Sequence, residues 1–350
     1  MPKINKKSLS TILKNIAIII FLSISAFFYP KYGAAGTVVA DCYLIRDFGS
    51  NRAGSRAEVI IPPTDFDMRR WWSEHCQGWV QSFKISGEIN SNLESSVGRA
   101  ISLIMSQDSQ YIRENRVGPL FWLNSAGGDV GASIRIGRVL RSVNAEVWVA
   151  RSAKCYSSCV FLIVGAVKRM TLGQVGIHRP YFGAVGRSAP ASEVRNRINA
   201  IDNLIERYLQ DMNVPVSLLH AMKSVRPEDI QILSDHDLQR FMLNSPDPVW
   251  DELDVARQAW EHGTTSAEFR RRRTFVENTC FRGGIDNMLP SSGCVEAGYY
   301  GITVNEYRSR IQRKERICWS RFRSRGTQMS QREIQEAQTC ARDVMIGVRR

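Results

Sequence analysis

Nucleotide-binding signatures are missing from this 350-residue sequence. It has no G-x-G-x-x-G and no Walker lysine, so the glycine pair at 127–128 gives little support to phosphate binding. No repeat of fixed period is visible in it. Membrane-spanning length is also missing from its apolar N-terminal segment. Ile16–Phe28, "IAIIIFLSISAFF", has thirteen residues where a span needs roughly 20. Acidic residues are outnumbered, 34 against 47 Lys and Arg, for a formal net charge of +13. That balance makes either a solvated basic surface or an attraction to an anionic partner. With 43% hydrophobic and 23% charged residues the chain is globular rather than disordered or fibrous, and long enough for one large domain or two ordinary ones.

What is present begins with export. Lys3, Lys6, Lys7 and Lys14 precede the apolar segment, and small residues follow in "YGAAGTVVA". This is the layout of a signal peptide cleaved around Ala35 to Ala40, or of a tilted anchor that is kept. The expected location is periplasmic, with inner-membrane anchoring by residues 16–28 as the variant. Eight cysteines, an even number, suit an oxidising compartment. Sequence alone leaves their pairing open, but local spacing suggests Cys42–Cys76, Cys280–Cys294 and Cys318–Cys340. Cys155 and Cys159, four apart, either form a bridge across the intervening turn or fill core space as two buried thiols. A zinc site from His75, Cys76, Cys155 and Cys159 is the sharper alternative, though it lacks paired ligand spacing on both sides.

Alternation of strands and helices marks the middle of the chain. "WVQSFKISGEI" reads as a strand closed by Gly87, and Leu93, Val97, Ala100, Ile101 and Ile104 as one helix face. "PLFWL" (119–123) is a continuous apolar run, as in a strand buried on both faces. A helix through Ala132, Ile136, Val139, Leu140 and Val143, the strand "EVWVA" and the apolar run 160–166 follow. "RMTLGQVGI" reads as one further strand, and Val194 to Leu209 as a long helix. The expected class is α/β around a mostly parallel sheet with right-handed crossovers. The domains expected are a signal or anchor (1–36), an N-terminal extension (37–78), a main domain (79–250) and a basic, disulfide-stapled C-terminal domain (265–350). In the last, "YRSRIQRKERICWSRF" and "QREIQEAQTCARDVM" read as two helices.

Chemistry gathers at three places. Gly127 and Gly128 turn a strand into a helix and can present bare N–H groups. Ser157 and Ser158 lie where "KCYSSC" enters an apolar helix, and orphan amides there favour a developing negative charge. His178 follows the next strand. Taken singly, each is ordinary: a tight turn, an N-cap, a structural histidine. Their order along the chain is not.

That order resembles the Clp protease family, within the wider ClpP/crotonase fold, over roughly residues 80 to 245. "ISGEI" is similar to the family's first strand and turn, and "LNSAGGDV" to N-S-P-G-G-x-V with Ala126 in place of the proline. "SSCVFLIVGAVKR" resembles S-M-G-A-x-L-L-x-A-G-x-x-x-R, and "GIHRP" resembles M-I-H-Q-P. The resemblance implies repeated ββα units around the sheet. It also implies a Ser-His-Asp triad with Ser157 as nucleophile, His178 as base and Asp229 as third member, Asp235 and Asp237 being rivals. The oxyanion hole falls on Gly127 or Gly128 with Ser158. No cofactor and no metal are implied, and the substrate is a peptide or protein.

Alternatives from other classes remain. Lys154 or Lys168 could serve a Ser–Lys dyad, as in the signal peptide peptidase A family. The fold could instead be a catalytically silent binding module using the same cleft. Acyl-CoA chemistry and nucleic-acid binding are disfavoured by export. Further partners expected are a second copy of the chain and an anionic membrane surface reached by the basic C-terminal domain.

Overall fold

The structure, a computed structural model, describes residues 35–43, 55–60, 70–71, 74, 80–107, 118–181, 190–280 and 293–323. The Ile16–Phe28 segment, His75, Cys76, Cys340 and the second expected C-terminal helix lie outside them. Among the described residues no helix is long and apolar enough to cross a membrane.

Six strands make the main sheet: β1 (Thr37–Tyr43), β2 (Ser55–Ile60), β3 (Val80–Ser86), β4 (Leu120–Asn124), β5 (Glu146–Val149) and β7 (Lys168–Thr171). Their order is β2-β1-β3-β4-β5-β7. The four strands β3, β4, β5 and β7 are parallel, and β1 and β2 extend them antiparallel. Residues of the expected N-terminal extension therefore belong to the same sheet. Helices α1 (Ser91–Gln107) and α2 (Val130–Ser142) provide the crossovers. Leu93, Val97, Ala100 and Ile101 form the buried stripe of α1, as their helical spacing dictates. Leu120 to Leu123 are all buried, as a strand covered on both faces requires.

A second, three-stranded sheet holds β6 (Lys154–Tyr156), β8 (Gln174–Ile177) and β9 (Gln231–Ile232) in the order β6-β8-β9. "RMTLGQVGI" is thus not one strand but two, β7 and β8, in different sheets. The chain bends because the amides of Leu172 and Gly173 both donate to the Val149 carbonyl. At Gly173 a Cβ would lie 2.1 Å from the Ala150 oxygen, so no other residue fits that bend unchanged. The apolar run after "SSC" is the short buried helix α3 (Val160–Gly165).

Beyond the sheets the chain is helical: α4 (Ala191–Asp211), α5 (Ser217–Ser224), α6 (Asp235–Arg240), α7 (Pro248–Glu261), α8 (Ser266–Cys280), α9 (Cys294–Tyr300) and α10 (Val304–Arg323). Cys280–Cys294 joins α8 to α9, the pairing that local spacing suggested. Val255, Ala259 and Phe269 make a small separate core there. The arginines of "FRRRR" are not free cations. Arg270 pairs with Glu252, Arg271 and Arg272 with Glu268, and Arg273 with Asp251.

The C-terminal helices are tied to the main domain at Asp247. It caps α7 through the Trp250 amide, its own amide donates to the Val167 carbonyl, and Asn213 donates to its carboxylate. Arg141 sits 3.0 Å from that carboxylate and Arg169 3.9 Å. Arg169 is fully enclosed and also donates to the carbonyls of Val164, Ala166, Met212 and Met242.

Candidate active site

The second sheet brings the chemistry-bearing segments together. Parallel β6 and β8 pair Tyr156 with Gly176, so Ser157 and His178 each follow the same end of neighbouring strands. The end of β4 is fastened to β6: the Ser125 amide donates to the Lys154 carbonyl at 2.8 Å, and the Tyr156 amide to the Ser125 carbonyl at 3.0 Å. This sets the glycine corner beside the serine turn.

Ser157 opens a 3-10 turn (Ser157–Cys159) that runs into α3, and its φ is +56°. A non-glycine residue in this left-handed region is strained by about 1–2 kcal/mol. Such strain persists where the surroundings impose it, and it concentrates at functional sites. Here two neighbours impose it. Cys155 and Cys159 are joined in a disulfide with Cα atoms 5.2 Å apart, clamping the turn from both sides. Gly127 presses on it from the other strand, since a Cβ there would stand 2.8 Å from the Ser157 Cβ and 2.7 Å from the Tyr156 oxygen. The bridge settles the two readings of this cysteine pair. Both sulfurs are committed to each other and do not supply thiolates to a zinc ion.

Replacing both Cys155 and Cys159 by alanine is expected to lower stability by about 2 kcal/mol. Hydrolytic activity should fall roughly 10- to 100-fold, because the turn loses its clamp and a displacement near 1 Å has that scale of effect. Denaturation and peptide-hydrolysis assays on the double variant check this; unchanged activity would detach the bridge from the site.

The two glycine amides differ. Gly127 donates to the Ser125 hydroxyl at 3.0 Å, which itself donates to the Gly87 carbonyl at 2.5 Å. No hydrogen bond among the described residues engages the Gly128 amide. Ser158, second in its turn, carries one of the amides that a helix start leaves without an intrahelical acceptor. Ser158 is only 2% exposed and its hydroxyl has no partner, whereas Ser157 is half-buried and can be reached. Among the described hydrogen bonds the amides of Gly128, in the glycine corner, and of Ser158, next to Ser157, are both left without an acceptor. Ser125 had no motif of its own in the sequence beyond lying inside "NSAGG".

His178 is 7% exposed, with its ring 5.7 Å from that of Tyr181. Its Nδ1 lies 2.9 Å from the Arg179 carbonyl oxygen. No hydrogen bond links it to Ser157 in the structure; such contacts tighten when substrate is in place. Two of the three acidic candidates are engaged elsewhere. Exposed Asp229 pairs with Arg226 at 2.7 Å. Asp237 forms a capping box with Ser234, whose hydroxyl and amide hold its carboxyl below the usual carboxylate range. Asp235 is the exposed first residue of α6. Neither lysine approaches Ser157 by any described hydrogen bond. Lys168 stacks over Trp250 at 5.0 Å, and exposed Lys154 over Tyr156 at 5.6 Å. Among the described residues no cluster suits a metal ion.

No curated protein matches the chain. Among solved structures, a 1510-N membrane-bound stomatin-specific protease, solved as a mutant, is 15% identical with a TM-score of 0.35. The match covers 46% of this chain and 75% of that one. An overlap that slight leaves the family model as the comparison that bears on the fold. The model of the Clp protease family matches residues 83–217, the span that holds the glycine corner, the serine turn and His178. Over these residues the chain is similar to the Clp protease family.

Proposed function

We propose that this chain is an exported serine peptidase, with the strand–strand–helix units of the Clp protease family and with Ser157 as nucleophile and His178 as general base. A peptidase-type function is supported by the family match over residues 83–217; the serine-type assignment rests on one observation. Ser157 is an accessible hydroxyl held at φ +56° by a disulfide and a glycine corner, beside the histidine-bearing strand end.

In this reading the Ser157 hydroxyl attacks the scissile carbonyl carbon as the His178 ring takes its proton. The carbonyl oxygen becomes negative and is met by the Gly128 and Ser158 amides. Collapse of the tetrahedral intermediate expels the amine, which receives the proton from His178. Water, deprotonated by the same ring, then attacks the acyl-serine and releases the second product. Export is supported by the two disulfides, which an oxidising compartment permits. Peptide or protein substrates and a homo-oligomer are the partners this reading implies. Because the four-arginine run of α8 is already paired with carboxylates, the proposal stops short of a lipid surface.

A fluorophosphonate probe tests the assignment. The full-length, oxidised protein should take up one label, mapped by mass spectrometry to Ser157. No label, or a label at another serine, would overturn it.

A further inference from the structure

We infer that His178 is oriented by the main-chain carbonyl of Arg179 in place of a carboxylate, making Arg179 a positioning residue for a Ser–His pair. The inference rests on the serine-peptidase reading and names the group that does the work of a triad's third member. That work is to hold a proton on Nδ1 and fix the ring so that the Nε2 lone pair faces the nucleophile. A carbonyl oxygen only accepts, so the 2.9 Å contact of Nδ1 with the Arg179 oxygen puts the proton on Nδ1 and leaves Nε2 as the base.

Arg179 is held at both ends. Its amide donates to the Val225 carbonyl at 3.1 Å. Its Nε and Nη2 both donate to the Lys223 carbonyl, at 2.9 and 2.6 Å. Lys223 lies in the last turn of α5, where carbonyls lack intrahelical partners and a cation is favoured. The Lys223 ammonium in turn pairs with Asp202 on α4. Pro180 follows and restricts the Arg179 backbone to extended conformations, so its carbonyl has little freedom to swing away.

The neighbouring strand explains why none of the three aspartates takes this place. β8 and β9 pair Gly176 with Ile232 and Ile177 with Gln231. Continuing by one pair sets Ile230 opposite His178, and opposed residues of an antiparallel pair share a face. Ile230 is indeed on the Gly176 face, its Cγ2 2.6 Å from where a Gly176 Cβ would be. Asp229 is one residue out of phase and closes onto Arg226.

Two measurements on the full-length protein test this. Asp229→Asn, Asp235→Asn and Asp237→Asn should each keep kcat/KM within about 3-fold of wild type, whereas losing a true triad carboxylate costs roughly 10⁴-fold. Arg179→Ala should lower kcat about 10- to 100-fold with KM little changed, and Arg179→Lys, which keeps a donor for the Lys223 carbonyl, should recover part of it. Nitrogen-15 NMR of the imidazole reads the tautomer without relying on turnover. Neutral His178 should be protonated at Nδ1 in the wild type and a mixture in Arg179→Ala. If one Asp→Asn variant is as inactive as Ser157→Ala, or if Nε2 carries the proton, the carbonyl assignment is wrong. A fluorophosphonate label still mapping to Ser157 would then leave the peptidase reading standing.

Discussion

Ser157→Ala is expected to abolish peptide hydrolysis while the protein stays folded. Removing a serine nucleophile costs on the order of 10³ to 10⁶ in kcat, the remainder coming from substrate binding and the oxyanion amides. Stability should change by less than about 1 kcal/mol, because alanine meets the same left-handed strain as serine and no hydrogen bond of the Ser157 side chain is lost. Ser157→Gly separates the two effects. It should be equally inactive yet more stable by about 1 kcal/mol, since glycine adopts φ +56° without a Cβ penalty. Ser158→Ala is the control: its hydroxyl is buried without a partner, so losing it should be neutral or slightly stabilising, with activity within about 10-fold. An active Ser157→Ala beside an inactive Ser158→Ala would move the nucleophile by one position.

The largest stability effect is expected at Asp247. Asp247→Ala removes the carboxylate placed between Arg141 and Arg169 and the cap of α7. Breaking a buried ion pair from one side costs about 3–5 kcal/mol, because the remaining charges stay enclosed without compensation. That would lower Tm by about 10 °C in a protein of this size. Burial already pushes the Arg169 guanidinium down to about 10, with the charge of Arg141 adding to it. Burial also pushes the Asp247 carboxyl up, but the Trp250 amide, Asn213 and Arg141 outweigh it and hold the group below the usual carboxylate range. A depressed carboxyl contributes stability above its unfolded pKa of about 3.9 and loses that contribution as pH falls through the lower folded value. The wild type should therefore weaken on its acid limb, and Asp247→Asn should be less stable at pH 7 but flatter toward pH 3. Urea midpoints at the two pH values decide it; equal midpoints at pH 7 would mean the node contributes little.

Much of the fold was legible because it follows from local period. The stripe Leu93, Val97, Ala100 and Ile101 has the 3.6-residue repeat of α1, and "LFWL" has the continuous apolarity of a strand covered on both faces. "RMTLGQVGI" misled for the same reason. Its apolar spacing is compatible with one strand, and the break at Gly173 is imposed by the Val149 carbonyl, which is remote in sequence. The cysteine pair at 155 and 159 was ambiguous because four-residue spacing suits either a bridge or two buried thiols; backbone geometry at the turn selects the bridge.

At the candidate site, the order of glycine corner, serine turn and histidine was written in residue types, as was the Clp protease resemblance that residues 83–217 bear out. Which glycine amide stays free was not, since the choice depends on the Ser125 hydroxyl reaching back to Gly87. Nor was the acceptor at His178 Nδ1. An aspartate leaves a letter in the sequence, whereas a main-chain carbonyl exists at every position and acquires a role only when something holds it in place. Side-chain identity and periodicity thus determined the elements and the chemical inventory of this protein. Contacts between segments far apart in the chain decided which groups meet, because the direction of a hydrogen bond and the phase of a strand are set by partners that local sequence does not contain.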